Sequence, residues 1–172
     1  IEVAVVTILL FAYSVDNGPV VCCDFAMGET LPVEIVEALH DPSVIKTAFN
    51  AAFERVCISK HFSWPLMDPA QWQCTMVRAA RMGLPLSLEQ CGEVLRLERA
   101  KMKEGKALIR YFSVPTKGKR HLPGDAPDKW KTFKAYNIRD VEVEQEILKI
   151  VRRLEPADFD EQLRVVDQRI ND

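Results

Sequence analysis

From Pro127 to Leu154 the chain carries apolar and aromatic residues at spacings of three and four, and no other feature constrains its fold as much. Phe133, Tyr136, Asp140, Val143, Ile147, Ile150 and Leu154 fall on one face of an α-helix. Such a stripe leaves water only by packing against other elements. The pattern therefore predicts one long helix, with Asp125 near its cap, Asp128 in its first turn and Pro156 as its stop. One member of the stripe is a carboxylate. Asp140 points toward the core, where an unpaired charge is costly or shifts its pKa. Two compensations are open: a divalent cation, or an ion pair with Arg139 or a nearby lysine. Tyr136, one turn earlier, can bring its hydroxyl to the same place.

The remaining elements are shorter. Ile8–Val15 and Val20–Phe25 read as a β-hairpin closed by Asp16-Asn17-Gly18-Pro19, and the apolar run Val3–Tyr13 is too short to span a membrane. Pro32 opens a helix over Val33–His40, ended by Asp41-Pro42. Val44–Phe49 is a strand candidate, and a helical pattern runs from Asn50 to about Phe62. Further helical patterns cover Gln71–Met82, Leu88–Leu97 behind a Ser87/Gln90 capping box, and Ala100–Phe112. Val114–Gly124 is a loop by composition, and 158–172 forms a last amphipathic helix. The reading is an α/β domain with a small mixed sheet flanked by helices.

With 172 residues, 48% of them hydrophobic and 28% charged, the chain can bury one substantial core and is not disordered. Its net charge of −2 excludes a nucleic-acid affinity built on overall charge. Cys22, Cys23, Cys57, Cys74 and Cys91 include no CxxC pair, and neither they nor His40, His61 and His121 have zinc-site spacing, so they read as reduced thiols. Ser87 and Ser113 lack a nucleophile-elbow context, and no glycine-rich phosphate loop is present.

Two further segments are candidates for chemistry. Asn50-Ala51-Ala52-Phe53-Glu54 lies where a strand hands over to a helix, the usual gathering point for ligands at a sheet edge. Glu54 in a first turn also fits a plain complement to the helix dipole. Between Arg99 and Arg120, eight basic residues face Glu104 alone. A solvated helix face accounts for some of them. Lys117, Lys119 and Arg120 lie in the loop and suit either solvent or a phosphate backbone.

Asn50-x-x-Phe53-Glu54 and Tyr136-x-x-x-Asp140, in this order, resemble the second and third motifs of the DEDD superfamily of 3′→5′ exonucleases, with Glu where Asp is more frequent. Cys74-Thr75-Met76 followed by Ser87-Leu88 is similar to an Asp-Thr-Met … Ser-Leu run of polymerase-associated members, with Cys74 replacing the aspartate. The segments ILLFAYSVDNGPV, FNAAFERVC, KEGKALIRYFSVP and YNIRDVEVE resemble proofreading domains of phage and prophage family-A DNA polymerases. The resemblance covers about nine-tenths of the chain. The family's first motif, Asp-x-Glu on the first strand, is not readable; Glu2 is either its surviving glutamate or an ordinary strand residue.

The resemblance implies a ribonuclease-H-like fold over residues 1–156, with 157–172 as the start of a linker helix toward a polymerase domain in cis. It implies two divalent ions, Mg²⁺ or Mn²⁺, with Asp140, Glu54 and Glu2 as ligands and Tyr136 orienting the attacking water. Asn50, Phe53, Lys117, Lys119 and Arg120 would contact the single-stranded or frayed 3′ end of DNA, in the cytoplasm of a bacterial cell. The rival reading is an inactive exonuclease-fold module serving as a DNA-binding or structural spacer.

Overall fold

The computed structural model describes residues 6–98, 105–116, 118–153 and 158–172. Glu2 and Lys117 lie outside the described residues, as do Leu154, Pro156 and the basic residues Arg99, Lys101 and Lys103.

β1 (Leu10–Tyr13) and β2 (Val21–Asp24) pair antiparallel, with Leu10 opposite Asp24 and Tyr13 opposite Val21. Asp16 and Asn17 both take positive φ, and the Gly18 N–H closes the turn on the Val15 carbonyl at 2.8 Å. Short polar side chains tolerate this left-handed backbone, which matches the twist of the flanking strands. α1 (Val33–His40) follows. β3 (Lys46–Ala48) then leads into α2 (Ala51–His61), and β4 (Trp72–Cys74) into α3 (Thr75–Arg81).

β3 and β4 are parallel, Lys46 beside Trp72 and Ala48 beside Cys74. Among the described residues the strands thus form two separate two-stranded sheets, not one mixed sheet. The helix expected over Gln71–Met82 is also corrected. Its first part is strand β4, because Trp72 and Cys74 are both buried with Gln73 between them, an alternation the helical pattern had masked.

α4 (Leu88–Val94), α5 (Gly105–Ser113), α6 (Pro127–Val151) and α7 (Asp158–Asn171) complete the chain. Ser87 stands at the N-cap of α4, but its side chain makes no cap hydrogen bond, so the expected capping box does not form. Asp125 accepts from the Leu122 N–H at 2.7 Å within a short 3₁₀ turn preceding α6.

α6 is the spine, and it serves two cores. Trp130 and Phe133 near its start pack with Leu10, Leu108 and Phe112. Val143, Ile147, Leu148 and Val151 near its end pack with Ala79 and Cys91. The buried face drifts relative to the predicted stripe, so that Val151 is fully buried while Ile150 is only half-buried. A third core joins the hairpin, α1, α2 and β4 through Cys23, Leu39, Ala51, Ile58, Met67 and Trp72. All five cysteines are free thiols. No helix among the described residues is long and apolar enough to cross a membrane.

Candidate functional site

Tyr136 and Asp140 occupy the stretch of α6 between its two apolar cores. The Tyr136 hydroxyl donates to the Asp140 carboxylate. Burial nevertheless pushes Asp140 up to about 6, with Glu89 of α4 adding to the rise and the tyrosine bond opposing it. The tyrosine is held well above its ordinary range by burial first and by Asp140 second. Arg139, the ion-pair partner weighed for Asp140, instead faces Glu142 at 3.7 Å.

The ring of Tyr136 lies directly over Gly105, the first residue of α5. A Cβ there would fall 1.9 Å from Cε2 of the ring, inside any real contact distance. Beside it, the Lys106 ammonium meets the Glu89 carboxylate at 2.5 Å, which ties the start of α5 to α4.

The second carboxylate comes from α2. β3 delivers the chain to Asn50, which takes the N-cap position, and its carbonyl accepts from the N–H groups of Phe53 and Glu54 at 2.9 and 3.3 Å. The Asn50 side chain makes no cap bond and is exposed, so it is available to a ligand. Phe53 is 62% exposed, unusual for its type. Glu54 turns the other way. Its Oε2 is buried with no hydrogen-bond partner, and burial pushes the group up to about 7, with Glu144 raising it further.

Glu144 was not anticipated from the sequence. It stands one turn beyond Asp140 on α6, is 8% exposed, and accepts a 2.5 Å hydrogen bond from the Thr75 hydroxyl at the start of α3. Burial raises its pKa, and the threonine bond opposes that. Its spacing from Asp140 was the available signal, but a glutamate in a helix is ordinarily a solvated residue. The Cys74-Thr75-Met76 segment thereby gains a physical account. The Cys74 thiol donates to the Phe49 carbonyl at 3.3 Å, tying β4 to the end of β3, and Thr75 reaches across to α6.

Lys119 and Arg120 are exposed in the connection between α5 and α6, where Thr116 and Lys119 form an isolated bridge. The connection is anchored by His121, stacked on Tyr111 with ring centres 4.0 Å apart, while Lys129 lies over the same tyrosine at 4.3 Å. Among the described residues, no three His, Cys, Asp or Glu side chains converge closely enough to hold an ion by themselves.

The chain is 50% identical to the DNA polymerase of Bacillus phage SP02, over 96% of this chain and 26% of that protein. It therefore spans about a quarter of that relative's length. No family model matches the chain, and no solved structure matches it.

Proposed function

We propose that this chain is the 3′→5′ exonuclease unit of a DNA polymerase, with a ribonuclease-H-like fold, removing 5′-mononucleotides from single-stranded or frayed 3′ ends of DNA. The observation that carries the reading is the set of buried carboxylates, Asp140 under the Tyr136 hydroxyl and Glu54 with an unpartnered oxygen. Buried anions held above their ordinary pKa are unstable as they stand. Hard divalent ions, Mg²⁺ or Mn²⁺, fit such oxygen donors. The similarity to a phage DNA polymerase supports the same reading and a polymerase domain in cis. It also favours a phage- or prophage-encoded protein acting in the bacterial cytoplasm.

In this scheme Asp140, Glu54 and Glu2 hold the ions, which when bound supply a nucleophile at neutral pH and neutralise charge on the scissile phosphate. Tyr136 keeps its proton at any working pH, because its pKa lies above the ordinary tyrosine value. It therefore orients the attacking water by hydrogen bonding and does not act as a base. Exposed Phe53 offers a face for the terminal base, and Asn50 a hydrogen bond to the terminal nucleotide. Lys117, Lys119 and Arg120 neutralise the strand leading into the site. Residues 1–156 make up the nuclease unit, and 157–172 begin the helix toward the polymerase.

The test is hydrolysis of a 5′-labelled single strand by the purified full-length protein with Mg²⁺ or Mn²⁺. Asp140→Asn should lower the rate by on the order of a hundredfold or more, since an ion ligand contributes several kcal/mol to the transition state. An unchanged rate removes the nuclease reading and leaves a nucleic-acid-binding or structural module.

A further inference from the structure

α7 turns its polarity the opposite way from an ordinary surface helix. The face it lays on the domain is polar. Arg164 and Gln168 are buried there, four residues apart, and Asp160 and Asp172, the latter just past the last turn, continue the same line. The charges on this face are matched: Asp160 pairs with Arg81 at 2.6 Å, Asp172 pairs with Arg55, and Arg164 donates to the carbonyls of Pro69 and Trp72 at 3.2 and 2.7 Å. The opposite face carries Leu163, Val166 and Ile170, at spacings of three and four. They are 51%, 50% and 77% exposed.

Single apolar side chains on a surface need no explanation. Three in line, on a helix whose charged face is the one held inside, do. A surface helix ordinarily turns its apolar stripe inward, because burial there is what stabilises it. The ion pairs and carbonyl contacts fix α7 in the reverse orientation, so the stripe stays in water unless a further surface covers it.

The size of the stripe selects the kind of partner. From Leu163 to Ile170 it runs about 10 Å along the helix. A second copy of this chain would need an interface on the order of 1,000 Å² to stay bound, far more than one line of three side chains offers. A domain on the same polypeptide meets a lower requirement, because the tether keeps its effective concentration high. This chain spans about a quarter of the phage polymerase it is similar to, so most of that protein lies outside the domain.

We propose that the Leu163, Val166 and Ile170 face of α7 is the seat of the polymerase domain in cis. The nuclease unit grips α7 through charge, and the polymerase covers it through apolar contact. This rests on the reading of the chain as the nuclease unit of a larger polymerase and adds the surface on which the two parts meet.

The experiment puts p-benzoylphenylalanine in place of Val166, and separately of Ile170, in the full-length protein. Each is irradiated at low concentration and its crosslinks are mapped by mass spectrometry. The expected product has the mass of one chain, with the crosslink running to a peptide outside residues 1–172. Crosslinks at twice that mass overturn the inference in favour of a second copy. Crosslinks confined to residues 1–172, or none at all, also overturn it. As a second measurement, Leu163→Gln with Ile170→Gln should let trypsin cut between the two parts roughly fivefold to tenfold faster. Hydrolysis of a short single strand should stay at the wild-type rate. An unchanged cutting rate counts against the seat. The nuclease reading is judged separately: if Asp140→Asn leaves hydrolysis unchanged while the expected crosslinks form, that reading falls and the interface stands.

Discussion

At the scale of single residues, what sets this chain apart is where its acids are. Asp140 and Glu54 are raised to about 6 and about 7, in both cases chiefly by burial. A carboxylate raised on folding binds its proton more tightly in the native state than in the unfolded one. The linked stability is therefore fully present below the ordinary carboxylate range and is lost as pH rises through the folded values. Metal-free protein should accordingly lose stability between about pH 4 and pH 7 from these two groups. Urea midpoints in chelator at pH 5 and pH 7.5 check this: Asp140→Asn and Glu54→Gln should each flatten the difference, and excess Mg²⁺ should offset it at the higher pH. A fall of equal size in both variants and wild type would show that other groups carry it. Asp140 was readable as a special residue because it interrupts an apolar stripe. Glu144 was not, because its partner Thr75 is far away in sequence and only the approach of α3 to α6 buries it.

Between elements, the contact of α5 with α6 sets the tyrosine. Gly105 lets the first turn of α5 lie against the Tyr136 ring, and any side chain there must displace one of the two. Gly105→Ala should reduce strand hydrolysis by roughly tenfold to a hundredfold, since a displacement of about 1 Å at a reacting group has that effect. The Michaelis constant should change little. Adding Gly105→Ala to Tyr136→Phe should give no further loss, and additive losses would count against the contact as the cause. Gly105 falls inside the helical pattern of Ala100–Phe112. Glycine in a helix reads as a defect until the neighbouring element is known. The strand within Gln71–Met82 was hidden for a related reason. Three residues are too few to show a period, and β4 exists because β3 offers it a partner.

Across the whole molecule, α7 is bound back onto the domain it follows. The fully buried guanidinium of Arg55 donates to the Met67 carbonyl at 2.8 Å and pairs with Asp172. Arg164 donates to the carbonyls of Pro69 and Trp72 at 3.2 and 2.7 Å, and Arg169 pairs with Asp68 at 3.0 Å. Arg55 directly follows Glu54, so Asp172, just beyond α7, pairs with the same turn of α2 that carries Glu54. Asp172→Ala leaves a buried charge short of a partner and should destabilise the domain by roughly 1–3 kcal/mol, read from urea unfolding. Arg169→Ala, at an exposed pair, should cost well under that, about 0.5 kcal/mol. Equal effects would mean that burial of Arg55 does not matter.

Periodicity and turn chemistry located the hairpin, α1, α2, the long spine and the final helix, and an acid inside an apolar stripe singled out Asp140. Those are local signals, written within a few turns of chain. The division into two small sheets, the drift of the buried face from Ile150 to Val151, the glycine beneath Tyr136 and the pairing of Thr75 with Glu144 arise from contacts between residues distant in sequence. The buried carboxylates of α6 belong to both kinds. Spacing aligned Asp140 with the apolar face, but packing of α3, α4 and α5 around α6 determines which of its acids lose their water, and a carboxylate's chemistry follows from that loss.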